Sequence, residues 1–165
     1  MRKVLFLDRD GVINKDVSYL YKIEDLQWVD GAKEALKLAY DAGYDLIVVT
    51  NQSGVARGYY KESDVQILHD YMGNELDKAG APILRFYYCP HHKDGTVERY
   101  AVDCDCRKPK PGMLLQAIKE YNVDPSESFL IGDNVRDVES AEAAGVKGYL
   151  FTGTDLLSFM KIILN

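Results

Sequence analysis

The sequence predicts one α/β domain over residues 1–165, built as a mainly parallel sheet covered on both faces by helices, three layers in all. Two observations carry this. Short apolar runs of β-forming residues alternate along the chain with segments of helical period. Those runs are continuous rather than alternating, which marks strands buried on both faces.

Val4-Leu5-Phe6-Leu7 is the first strand. Ala32, Ala35, Leu36, Ala39 and Ala42 then fall on one helical face, and Gly43 stops that helix. Leu46–Val49 is the second strand. Val65, Leu68, Met72, Leu76 and Ala79 mark an amphipathic helix, with Gly80 and Pro82 beyond it. Leu84–Tyr88 reads as a strand. Leu114, Ala117, Ile118 and Tyr121 mark a helix with Pro111 at its first turn. Phe129–Ile131 is the next strand, Val138, Ala141 and Ala144 a short helix ended by Gly145, and Gly148–Phe151 a final strand. Between Asp8 and Thr50, and again between Thr50 and Lys108, these elements use most of the chain, so no large cap domain fits. Selectivity is left to the loops Lys15–Glu24, Ser53–Tyr60 and Cys89–Cys106.

Composition excludes several classes. A net charge of −6 offers no electrostatic footprint for nucleic acid or an anionic membrane. No apolar run approaches the roughly 18 residues of a membrane span. Met1-Arg2-Lys3 leads directly into the first strand, without the apolar segment and small-residue cleavage site of a secretory signal, so a cytoplasmic location is expected.

The chemistry gathers where strands end. Asp8-Arg9-Asp10-Gly11 closes the first strand, and carboxyl ends of open α/β sheets are where ligands bind. Asp8 and Asp10 are two apart and point the same way, while Arg9 points elsewhere. Two carboxylates so close repel unless a cation sits between them or one is protonated. The second strand ends at Thr50-Asn51-Gln52-Ser53-Gly54, and the fourth at Gly132-Asp133-Asn134, with Asp137 four residues past Asp133. Lys108 enters from a loop. A carboxylate pair, a hydroxyl, a third carboxylate and a lysine suit a phosphoryl group and a hard divalent cation. Asp137 has two available roles, capping the following helix or orienting the water shell of that cation.

All three cysteines share one window, Cys89-Pro90-His91-His92 and Cys104-Asp105-Cys106. In a cytosolic chain this argues against disulfides, and Cys104 and Cys106 are too close in sequence to pair without strain. Three thiolates and one imidazole, from His91 or His92, complete a tetrahedral Zn²⁺ shell. The loop from Lys93 to Asp103 is polar and has little to form a core of its own, so a metal would hold it as a clip.

The order of these motifs resembles the haloacid-dehalogenase-like phosphohydrolases over nearly the whole chain, in their capless form. Asp8-Arg9-Asp10-Gly11-Val12-Ile13-Asn14, the stretch Thr50 to Gly58, the Cys-x-His and Cys-x-Cys pairs and Cys106-Arg107-Lys108-Pro109 look like the D-glycero-D-manno-heptose 1,7-bisphosphate 7-phosphatase family. The histidinol-phosphatase family is its sister. The long insert from His91 to Cys104 and the Asn-Gln-Ser-Gly-x-Ala-Arg-Gly run favour the heptose branch. Asn134 departs from it, standing where a lysine can occur.

The resemblance implies a magnesium-dependent phosphatase acting in the synthesis of nucleotide-activated heptose for the lipopolysaccharide core or a related glycan. Mg²⁺ is expected on Asp8, Asp133 and the backbone carbonyl of Asp10, and structural Zn²⁺ on Cys89, His91, Cys104 and Cys106 within a clip spanning 89–106. Asp8 is the expected nucleophile, Asp10 the general acid and base, and Thr50 and Lys108 the groups stabilising phosphoryl charge. Asp16, Val17, Ser18, Tyr19, Asn51, Gln52, Ser53, Arg57, Arg107 and Asn134 are the expected substrate contacts, Arg107 with a fork suited to a second phosphate. The expected partner is a small phosphorylated sugar, with no nucleic acid and no membrane, bound by a monomer. Histidinol phosphate or another sugar phosphate stays open as substrate, because an aspartyl-phosphate step is indifferent to its leaving group. A zinc-clipped binding module with a dead site is set aside, since every residue the chemistry needs is present.

Overall fold

A computed structural model describes residues 1–165. Five strands, β1 (Val4–Leu7), β2 (Asp45–Asn51), β3 (Ile83–Cys89), β4 (Phe129–Gly132) and β5 (Lys147–Leu150), form one parallel sheet in the order β3-β2-β1-β4-β5. The helices are α1 (Ala32–Asp41), α2 (Glu62–Lys78), α3 (Gly112–Tyr121), α4 (Val135–Ala143) and α5 (Leu156–Leu164).

Alternation along the central strands separates two cores. Leu5 and Leu7 face a layer made by α1, α2 and α5, where Leu36, Leu68, Met72, Leu156 and Met160 are buried. Val4 and Phe6 face α3 and α4, against Met113, Leu114, Ala117 and Ala141. Every residue of β1 is fully buried, so its unbroken apolar run matches a strand with helices on both sides. Leu7 pairs with Val48 of β2 and Ile131 of β4, which brings the carboxyl ends of all three strands to one edge.

Local signals explain the helix starts. Asn134 accepts from the backbone of Arg136 while Asp137 accepts from the backbone of Asn134, a reciprocal cap on α4. Asp155 caps α5 by accepting from Leu157. Helix α5 is absent from the sequence reading. Its signal was present: Leu156, Phe159, Met160 and Ile163 recur at helical spacing and pack on the core behind the Asp155 cap, while Ser158, Lys161 and Ile162 stay outside. Strand β5 lies one residue earlier than its predicted span. No helix is long and apolar enough to cross a membrane.

Candidate active site

The site sits where β1, β2 and β4 end. Asp8 leaves β1 with its carboxyl nearly buried, and its Oδ1 accepts from the backbone of Arg9 at 2.9 Å. Gly11 follows in a left-handed conformation, φ +88°. A Cβ there would fall 1.9 Å from Oδ2 of Asp133, so the missing side chain is what lets the two acidic loops approach. Lys108 enters from the α3 side. Its buried Nζ lies 2.9 Å from Oδ1 of Asp8, 2.7 Å from Oδ1 of Asp137 and 2.9 Å from the carbonyl of Val49. Asp137 therefore fills its capping role and also holds Lys108.

The charges do not balance. Oxygens of Asp8, Asp133 and Asp137 lie within 4.8 Å of one another, with only Lys108 among them. Burial pushes the Asp8 carboxyl up to about 8, and Asp137 and Asp10 push the same way against the pull of Lys108. Burial also raises Asp133, with Asp137 adding to it. An all-oxygen donor set with surplus negative charge fits a hard divalent cation such as Mg²⁺.

Asp10 is held by a clamp. Oδ1 accepts from Nε and Nη2 of Arg9, at 3.1 and 3.0 Å, and from Nδ2 of Asn14 at 3.0 Å. Oδ2 accepts from Nε2 of Gln52 at 3.2 Å. That same amide reaches Oγ1 of Thr50 at 2.9 Å, and Gln52 Oε1 accepts from the Tyr60 hydroxyl at 2.6 Å. Sequence reasoning assigned no role to Arg9 or Asn14. For Arg9 the signal was present: an arginine wedged between two aspartates at the end of a buried strand must find partners inside.

A cavity of about 360 Å³ opens over these groups, lined by Asp8, Asp10, Asp133 and Lys108 on the reacting side. Asp16, Ser18, Tyr19, Asn51, Gln52, Ser53, Arg57, Arg107 and Asn134 also line it. Val17 does not; its side chain is exposed, because the chain turns through left-handed Ser18 and Tyr19 (φ 59° at each). Asn51 borders the cavity, yet its amide is committed elsewhere. Oδ1 accepts from the backbone of Lys108 at 3.0 Å and Nδ2 donates to the Lys108 carbonyl at 3.2 Å, so it anchors the lysine loop. Thr50 lies beneath the lining, with Oγ1 held by Gln52.

Arg57 and Arg107 are joined in the cavity wall by Arg136, a residue the sequence reading left out. Its signal was a cation in the first turn of α4, where the helix dipole disfavours one. Burial lowers the affinity of Arg107 for its proton, and the charges of Arg136 and Arg57 lower it further. Nη1 of Arg107 and Nε of Arg57 are buried with no hydrogen-bond partner. Three neighbouring guanidiniums with unused donors form a strong anion-binding wall.

The cysteines meet at the edge of this wall. Cys89 Sγ lies 3.5 Å from Cys104 Sγ and 2.7 Å from Cys106 Sγ, and the Cys104–Cys106 pair is 3.4 Å apart. His91 Nδ1 stands 3.6 Å from Cys89 and 3.4 Å from Cys106. His92 is turned away, its Nδ1 accepting from the backbone of Asp94. A tetrahedron with metal–sulfur bonds of about 2.3 Å has edges of about 3.7 Å, so all the separations but the short Cys89–Cys106 edge fit a closed zinc shell. The contact between Cys89 and Cys106 draws Cys106 down and pushes Cys89 up, so the two sulfurs hold one proton between them, which a bound metal would displace.

Residues 3–145 match the haloacid dehalogenase-like hydrolase family. The D-glycero-beta-D-manno-heptose-1,7-bisphosphate 7-phosphatase of Rhodopseudomonas palustris is 47% identical over 99% of this chain and 91% of its own. The alpha-heptose-1,7-bisphosphate 7-phosphatase of Photorhabdus laumondii is 49% identical over 87% of this chain and 79% of its own. Among solved structures, the D,D-heptose 1,7-bisphosphate phosphatase of B. bronchiseptica, complexed with magnesium and phosphate, superposes with a TM-score of 0.83 at 30% identity, covering 98% of each chain. With the family model matched over residues 3–145 and relatives this similar over nearly its whole length, the chain belongs to the haloacid dehalogenase-like hydrolases and, among their phosphoric monoester hydrolases, to the heptose 1,7-bisphosphate 7-phosphatase family.

Proposed function

We propose that this chain removes the 7-phosphate of D-glycero-D-manno-heptose 1,7-bisphosphate, in the cytoplasm, on the route to nucleotide-activated heptose for the lipopolysaccharide core or a related glycan. The observation that carries the substrate class is the wall of Arg57, Arg107 and Arg136. All three guanidiniums line the same cavity as Asp8, and this cluster of positive charge supports a second phosphate on the substrate.

The chemistry follows from the acidic edge. An oxygen of Asp8 attacks phosphorus, forming the aspartyl-phosphate bond as the bond from phosphorus to the sugar oxygen breaks. Asp10 gives its proton to that oxygen, then takes one from the water that attacks the aspartyl-phosphate, so Asp8 and free phosphate are regenerated. Lys108, 2.9 Å from Asp8, stabilises charge on the phosphoryl oxygens together with Thr50. Asp8, Asp133 and the carbonyl of Asp10 would hold Mg²⁺, which when bound keeps Asp8 ionised and offsets phosphoryl charge. Asp16, Ser18, Tyr19, Gln52, Ser53 and Asn134 contact the sugar. The Cys89, His91, Cys104 and Cys106 shell would hold Zn²⁺ as a fastening for the loop that ends at Arg107.

A phosphate-release panel tests this. The panel holds both anomers of heptose 1,7-bisphosphate with histidinol phosphate, fructose 1,6-bisphosphate and nucleotides. The heptose bisphosphate is expected to give the highest kcat/KM. Preference for histidinol phosphate would move the chain's activity to that of the sister family.

A further inference from the structure

We propose that His69, a residue of α2 outside the reaction cavity, is a positioning residue for Asp10, acting through Arg9. The inference deepens the acid/base reading of Asp10 and rests on it.

Arg9 has no exposure to solvent, so each of its donors must end on a protein acceptor. Nε and Nη2 grip Asp10, with Nη2 at 3.0 and 3.3 Å from its two oxygens, and Nη2 also reaches the carbonyl of Leu20 at 3.0 Å. Nη1 points the other way, to Nε2 of His69 at 3.1 Å. A guanidinium only donates, so Nε2 must be the acceptor and the ring proton must sit on Nδ1. The imidazole is itself fixed. It is 5% exposed, stacks on Phe86 of β3 at 4.5 Å and 21°, and meets Tyr88 edge-on at 6.0 Å. Burial and the charge of Arg9 hold the imidazole well below its ordinary value, so it stays the neutral acceptor this contact requires.

The result is a rigid relay from α2 and β3 to the Asp10 carboxyl. A buried guanidinium that loses one acceptor must turn to find another, which would pull Nε and Nη2 off Asp10. A proton transfer depends steeply on such placement.

The test separates acceptor from bulk. His69→Phe keeps an aromatic ring against Phe86 and removes the acceptor; His69→Leu is the second acceptor-free variant should the larger ring not fold. His69→Gln puts an amide oxygen where Nε2 lies. Each is compared with Asp10→Asn on two substrates, a sugar phosphate and p-nitrophenyl phosphate. Nitrophenolate departs without a proton, whereas a sugar alkoxide needs one. In rapid mixing, the acceptor-free variants are expected to slow sugar release about tenfold or more, with KM unchanged and the nitrophenolate burst kept within about twofold. Asp10→Asn is expected to show the same selectivity, more strongly, and His69→Gln to recover most of the loss.

Wild-type sugar release in a folded acceptor-free variant overturns the assignment. So does an equal slowing of both first steps while Asp10→Asn remains selective. Absence of selectivity in Asp10→Asn overturns the acid/base reading instead, and the role of His69 falls with it.

Discussion

Replacing Arg107 by alanine separates the two phosphates of the substrate. Arg107 follows Cys106 directly and shares the cavity wall with Arg57 and Arg136, with Nη1 buried and unpartnered. A charge-assisted hydrogen bond to phosphate at such a site is worth roughly 1.5–3 kcal/mol, which converts to a loss of about tenfold to a hundredfold in kcat/KM. That loss is expected on heptose 1,7-bisphosphate alone. A monophosphate such as histidinol phosphate lacks the distal group and should be a poor substrate for wild type, nearly indifferent to Arg107→Ala. Stability should move the other way. Burial and two neighbouring guanidiniums work against the Arg107 charge in the free protein, so its removal relieves repulsion and leaves the melting temperature at or above wild type. Steady-state kinetics on both substrates and a thermal melt read the two effects. Equal losses on the two substrates would refute the reasoning and put Arg107 on the reacting phosphate.

Asp8→Asn should fold and lose essentially all turnover; residual phosphate release within about tenfold of wild type rules out the covalent route. The raised Asp8 value has a second consequence without Mg²⁺. Between the ordinary 3.8 and about 8 the folded protein binds a proton the unfolded chain has released, so stability falls as pH rises through that window. Melts in chelator at pH 5 and pH 8 should show this slope, Asp8→Asn should flatten it, and Mg²⁺ should stabilise more at pH 8; a wild-type slope equal to that of Asp8→Asn counts against it. Gly11→Ala should raise the Mg²⁺ concentration for half-maximal activity by about tenfold or more, because its methyl group would collide with Asp133 and would sit on a left-handed backbone. Metal analysis should find one tightly held zinc per chain, and Cys104→Ser should release it while far-UV circular dichroism keeps the signal of the sheet and helices; zinc-free protein purified without chelator would sink the clip.

The central strands were legible because β1, β2 and β4 are buried on both faces, and nothing but continuous apolar sequence satisfies that position. The edge strand β5 is half-exposed, so its boundaries carried less signal and its predicted span slipped by one residue. Helix α5 was legible and went unread, since Leu156, Met160 and Ile163 repeat at helical spacing with Ser158 and Lys161 on the outer face. The acidic edge and the cysteine window could be read because few residue types perform that chemistry, and their spacing survives in one dimension. What could not be read is where long side chains end. Alternation sent Arg9 away from Asp10, and its guanidinium curls back to grip it. Asn51 followed the same motif as Gln52, yet one amide faces the lysine loop and the other faces Asp10.

The ion pair between Lys108 and Asp8 joins residues 100 positions apart in the chain. On a ribosome adding roughly 5–20 residues per second, Asp8 therefore emerges about 5–20 s before its lysine, and longer still before Asp133. Throughout that interval the nascent chain carries Asp8 and Asp10 without Lys108 or the third carboxylate of the site. A polypeptide interrupted anywhere short of β4 has the signature motif and no ability to split a phosphate ester. Hydrolysis is thus a readout of finished folding rather than of synthesis. In a refolding experiment, regained activity should trail regained helix content by the time the sheet takes to close around Lys108.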